Sequence, residues 1–151
     1  MNIIFLDIDG VLRTYWSDCL WSQTLNESIP SHYKRLFSKD AIENLNYIVT
    51  LTGAKVVITS TWRLHYTLEE LRKVFRERGF IGQIIGTTGV LGTRGEEIVD
   101  WLNDHVVKNF VVIDDNIKDI VIRIPDCKVV KCHPNYGLND EIFDKVLNIL
   151  G

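Results

Sequence analysis

The sequence lacks most features that mark secreted, membrane-spanning or strongly basic proteins. Its three cysteines, Cys19, Cys127 and Cys132, form an odd set without the spacing of a disulfide framework, which suits a reducing compartment. No apolar stretch reaches the ~20 residues needed to span a bilayer, and no basic leader precedes the first apolar run. The net charge of -3 argues against bulk electrostatic binding of nucleic acid. We therefore expect a cytoplasmic protein.

The chain does contain enough apolar material for one globular domain over residues 1–151. At 151 residues and 46% hydrophobic content, it can bury roughly two-thirds of the surface of its unfolded chain. Continuous apolar runs predict strands that are covered on both faces, as in a parallel sheet. These runs lie at 3–6, 56–58, 84–85, 110–113 and 129–130.

Helical patterns lie between the apolar runs. Ser38 or Asp40 can cap the first helix, Thr67 opens the second with a capping box, the third is predicted to begin after Gly95 and the fourth after Asn139. Strands that alternate with helices of this length predict an α/β fold, with a mainly parallel, doubly wound sheet between two helical layers.

Residues 14–37 interrupt this alternation. The stretch has no clear helical or strand period, and a loop of this length in a compact domain is usually functional. We expect a small flap that partly covers a site, although a surface excursion with aromatics tucked into the core would give the same pattern. Its aromatic residues are Tyr15, Trp16, Trp21, Tyr33 and Phe37.

Polar residues end three of the predicted strands. In an extended backbone the residues at i and i+2 face the same side, so the first two carboxylates project together and require a cation or a shared proton. Ligands of open α/β sheets bind at the carboxyl ends of strands, so we expect all three polar ends to form one site. In chain order these ends carry Asp7 and Asp9, then Thr59 and Ser60, then Asp114 and Asp115 with Asp119 beyond.

In this order the motifs resemble those of the haloacid dehalogenase-like (HAD) phosphatase superfamily. The run Asp7-Ile8-Asp9-Gly10-Val11 matches its DxDG motif, Thr59 or Ser60 its strand-terminal hydroxyl, and Asp114-Asp115 its late acidic pair. The family also has a lysine or arginine before the last motif. We favour Arg94, at the start of the third predicted helix, over Lys108, which lies near the amino end of the next strand.

The resemblance implies a Rossmann-like HAD fold and hydrolysis of phosphate monoesters through an aspartyl-phosphate. Asp7 would be the nucleophile, and Asp9 would protonate the leaving oxygen and then activate water. Mg²⁺ would be held by Asp7, the backbone carbonyl of Asp9, and Asp115. Asp114 and Asp119 would support these groups.

Residues of the second polar strand end and the basic residue before the last motif have expected roles in substrate binding. Thr59 or Ser60 would bind phosphate oxygens together with Arg94. Arg63 could contact a second phosphate and the preceding Trp62 could stack on a base, although a packed tryptophan and a surface arginine explain that dipeptide equally well.

The substrate is expected to be large, because neither cap position of the family has room for a full cap domain. A small flap at 14–37 would leave the site open. The Thr59-Ser60-Thr61-Trp62-Arg63 segment, with Arg94-Gly95-Glu96-Glu97-Ile98, is similar to small HAD domains of polynucleotide end-repair proteins. This implies a phosphatase that acts on nucleic-acid 3′ ends or on nucleotides. We expect it neither to bind a membrane nor to require a protein partner.

Two other functions remain open from the sequence. A phosphoacceptor switch similar to a receiver domain also combines carboxylates, Mg²⁺ and an aspartyl-phosphate on a parallel sheet, but it phosphorylates an aspartate where this chain has Thr59. A binding module that has kept the HAD fold without catalysis is the third possibility, and the presence of both Asp7 and Asp9 argues against it.

Overall fold

A computed structural model of the chain describes residues 1–18 and 37–151, and within them five strands form one sheet. The spatial order is β3-β2-β1-β4-β5, and each of these neighbouring pairs is parallel. This confirms the predicted parallel sheet. The strands are β1 (Asn2–Leu6), β2 (Lys55–Ile58), β3 (Ile84–Thr87), β4 (Asn109–Asp114) and β5 (Val129–Lys131).

Helices cover both faces of this sheet, which makes the fold a three-layer α/β domain of the Rossmann-like type. Ile4 and Leu6 of β1 belong to a core shared with three of the helices, whereas Ile3 and Phe5 belong to a second core on the opposite face. This division follows from the alternation of side chains along a strand. The helices are α1 (Lys39–Thr52), α2 (Leu68–Glu77), α3 (Arg94–Asn103) and α4 (Asp140–Leu150).

Hydrogen-bonded caps define where these helices begin. Ser38, rather than Asp40, caps α1 by accepting the backbone N–H of Ala41, and Thr67 opens α2 with the predicted capping box. Asn139 caps α4 as expected. All three caps use a short polar side chain that accepts a backbone N–H otherwise left without a helical partner.

The predicted start of α3 after Gly95 is wrong, because the helix begins at Arg94. Thr93 is its cap and forms a capping box with Glu96. Gly95 lies within the first turn, where a Cβ would stand 2.6 Å from the backbone carbonyl oxygen of Asp119. The glycine therefore allows close packing of α3 against the 119–123 segment and does not mark a turn before the helix.

The structure describes only the two ends of the predicted flap. Thr14 and Ser17 are buried and exchange hydrogen bonds between backbone N–H groups and hydroxyl oxygens, at 2.8 and 3.1 Å. Phe37 lies in the core beside Trp62. Trp21 and Tyr33 lie in residues 19–36, outside the described part of the chain, so the flap stays a prediction.

Candidate active site at the carboxyl edge of the sheet

The first polar loop begins where β1 ends. Asp7 is 5% exposed, and its backbone N–H still donates to the carbonyl of Ile113 in β4, at 3.0 Å. Gly10 has a φ of 83°, and a Cβ at this position would clash with the carboxylate of Asp115. A residue other than glycine would therefore be strained and would push Asp115 away. The turn of the first motif thus permits the close approach of the late acidic pair.

Three carboxylates meet at this edge. Oxygens of Asp7, Asp114 and Asp115 lie within 4.8 Å of one another, although Asp7 is far in sequence from the adjacent pair Asp114 and Asp115. β1 and β4 are adjacent and parallel, so their carboxyl ends carry these side chains to the same place. Asp119 is exposed and does not belong to this group of described residues.

One arginine contacts two of these carboxylates. Arg94 places Nη1 2.5 Å from Oδ2 of Asp114 and 3.4 Å from Oδ1 of Asp7. The side chain is 22% exposed, so it is partly accessible from the solvent. Lys108 precedes β4, at the opposite edge of the sheet, where its backbone N–H donates to the carbonyl of Met1. Only Arg94 of the two alternatives thus reaches the carboxylates.

Burial and mutual repulsion change the acidity of this group. Burial, and then the charge of Asp114, raises the pKa of Asp7 to about 8, although Arg94 acts in the opposite direction. Burial also raises the pKa of Asp114, again against the effect of Arg94. A single arginine therefore does not compensate all the negative charge that three ionised carboxylates would place here.

A buried hydroxyl without a hydrogen-bond partner lies directly after β2, the second strand that ends in polar residues. The backbone N–H of Thr59 donates to the carbonyl of Leu6, and the residue is 0% exposed. Its Oγ1 has no hydrogen-bond partner, which is costly for a buried hydroxyl. Oγ of Ser60, by contrast, accepts the backbone N–H of Trp62 and caps a short 3-10 helix at Thr61–Leu64. Of the two candidate hydroxyls, Thr59 is the one that has no hydrogen-bond partner at all.

Comparison with known protein families agrees with this arrangement of strand-end residues. Residues 3–143 match the family described as the HAD domain in Swiss Army Knife RNA repair proteins. The chain belongs to this family. No curated protein and no solved structure matches the chain. Membership indicates phosphatase-type hydrolysis in general, which is the chemistry of the HAD domain.

The sequence did not reveal how this HAD domain holds Asp9. Nε1 of Trp62 donates to Oδ2 of Asp9 at 3.1 Å, and Nη1 of Arg13 lies 3.0 Å from Oδ1. Trp62 is 7% exposed and packs against Phe37 and Tyr66, so too little of its ring is exposed for stacking on a base. The ion pair of Asp9 with Arg13 could have been predicted, because the two residues are close in sequence. The contact of Asp9 with Trp62 spans 53 residues and depends on the fold.

Arg63 is buried in the HAD domain, although the sequence left open either a contact with a second phosphate or a position on the surface. Its side chain is 6% exposed and forms an ion pair with Glu97 at 2.5 Å. Its remaining N–H groups donate to four backbone carbonyls, which are those of Thr59, Ser60, Thr88 and Gly89. Arg63 thus links the loops that follow β2 and β3 through hydrogen bonds. All N–H groups of its guanidinium are used, so none is left for a phosphate.

The described helices of the HAD domain include none that is long and apolar enough to cross a membrane.

Proposed function

We propose that this HAD domain is a Mg²⁺-dependent phosphomonoesterase that forms an aspartyl-phosphate on Asp7 and acts on phosphorylated nucleic-acid ends or nucleotides. The observation that carries the proposal is the set of complementary groups at one edge of the sheet. Three carboxylates, an arginine and an unpartnered buried hydroxyl lie there together. The RNA-repair family supports the choice of substrate.

The donor set suits Mg²⁺, because this hard cation prefers carboxylate and carbonyl oxygens. Asp7, the backbone carbonyl of Asp9, and Asp115 would hold the ion. Asp114 would act in support, since Arg94 contacts Oδ2 and the backbone N–H of Asn116 donates to Oδ1. When bound, the ion would supply positive charge that offsets the repulsion between the carboxylates and an anionic phosphate.

Two further groups would bind the phosphate. The hydroxyl of Thr59 would donate to a phosphate oxygen and thereby gain the partner that it lacks. The guanidinium of Arg94, whose side chain is partly exposed, would contact a second oxygen, and its existing contacts with Asp7 and Asp114 would hold it in place.

The reaction would proceed in two halves. A carboxylate oxygen of Asp7 attacks phosphorus, while Asp9 gives a proton to the oxygen that leaves with the product. Asp9, now ionised, takes a proton from water, and that water attacks phosphorus to release inorganic phosphate and regenerate Asp7. Trp62 and Arg13 would orient the Asp9 carboxylate in both halves, because each donates to one of its oxygens.

The surroundings of the site favour a substrate larger than a small metabolite. A cavity of about 360 Å³ adjoins Arg94 and is lined in part by Thr61, Leu64, Val90 and Asn116. Leu64 and Val90 are 53% and 69% exposed, so this wall of the site is open to solvent within the described residues. An open wall does not enclose the substrate, so a large phosphoester can enter the site.

The experiment compares wild type and Asp7→Asn on a 3′-phosphorylated oligonucleotide and on an aryl phosphate, each with Mg²⁺ and with EDTA. The proposal expects phosphate release by wild type in Mg²⁺ alone and none above background by the variant. Equal release by both proteins would refute the role of Asp7. Release by wild type in EDTA would refute the metal requirement.

The same protein preparations separate the proposal from a phosphoacceptor switch. A turnover intermediate on Asp7 decays within the catalytic cycle, whereas a switch must stay phosphorylated for much longer than a turnover. Single-turnover quenching with labelled substrate measures this lifetime. A long-lived phosphorylated Asp7 without continuous phosphate release would favour the switch.

A further inference from the structure

Two pairs of exposed aromatic rings lie at the carboxyl edge of the sheet. Tyr15 and Trp16 are 60% and 55% exposed, and their ring centroids are 5.8 Å apart. Tyr136 is 57% exposed and lies 5.3 Å from the ring of His133, which is also exposed. Large aromatic side chains are more often at least half covered, so four exposed rings in two contacting pairs require an explanation.

The two pairs belong to one surface. The backbone N–H of Tyr15 donates to the carbonyl of Pro134 at 3.2 Å, and that of Leu138 donates to the carbonyl of Val11 at 2.9 Å. Gly137 has a φ of 60°, and a Cβ there would clash with the carbonyl oxygen of Val11. The loop after β5 is thus docked on the first catalytic loop. We call Tyr15, Trp16, His133 and Tyr136 the aromatic surface.

This surface adjoins the candidate active site on two sides. Arg13, which contacts Asp9, stands two positions before Tyr15 in the chain. Cys132, which precedes His133, donates its backbone N–H to the carbonyl of Asp114 at 2.9 Å. A chain that leaves the phosphate site along this side would therefore pass the aromatic rings.

Charge considerations favour stacking as the means of holding such a chain. The protein has a net charge of -3, and Arg13, two positions before Tyr15, is already paired with Asp9 and Asp18. Proteins that rely on phosphate contacts need free basic groups, whereas exposed aromatic rings bind bases of any sequence through their faces. The chemistry of the aromatic surface thus matches unpaired bases better than a duplex backbone.

We propose that the aromatic surface stacks the bases of a single-stranded nucleic acid, next to its terminal phosphate. This inference rests on the proposed function, since it assigns a binding surface to the same substrate. It makes Trp16 and Tyr136 contributors to affinity, whereas chemistry remains with Asp7 and Asp9.

The test measures binding separately from turnover. Fluorescence anisotropy gives Kd for a 3′-phosphorylated single strand and for a matched strand whose last three nucleotides lack bases, with Asp7→Asn protein in Mg²⁺. Trp16→Ala and Tyr136→Ala, each added to Asp7→Asn, should weaken binding of the intact strand roughly 5- to 100-fold. Tyr47→Ala is the matched control, because Tyr47 is 62% exposed on α1, outside the aromatic surface.

The abasic strand supplies the decisive comparison. The Asp7→Asn protein with an unchanged aromatic surface should bind the abasic strand more weakly than it binds the intact strand. The Kd for the abasic strand should not change when Trp16 or Tyr136 is substituted. Affinity for the intact strand should fall only weakly with added salt. Equal binding of both strands, or equal effects of Tyr47→Ala and Tyr136→Ala, would overturn the inference. Wild-type turnover of the intact strand is measured in parallel, and its absence would refute the proposed function instead.

Discussion

Replacing Trp62 with phenylalanine should impair catalysis selectively for substrates with poor leaving groups. The substitution removes the indole N–H that donates to Oδ2 of Asp9 at 3.1 Å, while Arg13 still holds Oδ1 at 3.0 Å. A hydrogen bond to a charged group contributes about 1.5–3 kcal/mol. With one of two donors retained, we expect the lower end of that range. This corresponds to a loss of about 10-fold in kcat/KM.

The assay compares kcat/KM on a 3′-phosphorylated oligonucleotide with that on a dinitrophenyl phosphate. An alkoxide needs the proton from Asp9 to leave, whereas an acidic phenol does not. The Trp62→Phe variant should therefore lose activity on the oligonucleotide and little on the aryl phosphate. Phe37→Leu is the control, because it changes the packing around Trp62 but keeps the hydrogen bond from Trp62 to Asp9. An equal loss on both substrates would refute the reasoning and leave Trp62 with a packing role.

Three other substitutions test the site through stability as well as activity. Asp7→Asn should remove a pH dependence of unfolding: the metal-free folded protein retains the Asp7 proton up to about pH 8, whereas the ordinary pKa is 3.8. Wild-type stability should then fall as pH rises through this window, by up to about 1.4 kcal/mol per unit. Urea unfolding in EDTA measures the slope, and equal slopes for both proteins would contradict the assignment. Thr59→Val should leave the melting temperature unchanged or raised, because Oγ1 has no partner to lose, yet should lower kcat/KM at least about 10-fold; a large drop in melting temperature would show that the hydroxyl is structural. Gly10→Ala should destabilise the fold by about 1–3 kcal/mol and weaken Mg²⁺ binding, because the Cβ of the alanine would displace Asp115. Calorimetry measures the Mg²⁺ affinity, and an unchanged affinity would contradict this expectation.

The parts of the fold that follow from local pattern were predictable from the sequence. Continuous apolar runs identify strands that are covered on both faces, and the Thr67–Glu70 capping box identifies the start of α2. The start of α3 at Arg94 was not predicted correctly, because the helix was expected to begin after Gly95. The role of Gly95 is a close contact with the carbonyl of Asp119, which exists only in the folded chain.

In the candidate site, too, some features followed from the sequence pattern and others depend on the folded chain. The order of the strand ends indicated that Asp7, Asp114 and Asp115 would meet, since parallel neighbouring strands carry their carboxyl ends to one edge. For Trp62 and Arg63 the sequence left two interpretations open, contact with a substrate or a packed tryptophan beside a surface arginine. The structure agrees with the packed tryptophan, but Arg63 is buried as well. Their partners, Asp9 and Glu97, lie 53 and 34 residues away, so no local spacing could reveal those contacts.

Chemical trapping of the intermediate tests the central claim most directly. Protein mixed with a 3′-phosphorylated oligonucleotide and Mg²⁺ is quenched in acid during turnover, reduced with borohydride and digested for mass spectrometry. The account predicts that the peptide containing Asp7 carries homoserine at that position, because hydride reduces an acyl-phosphate but not a free carboxylate. An unreduced Asp7 in protein quenched while it is releasing phosphate, or reduction at Asp9, Asp114 or Asp115 instead, would contradict the account.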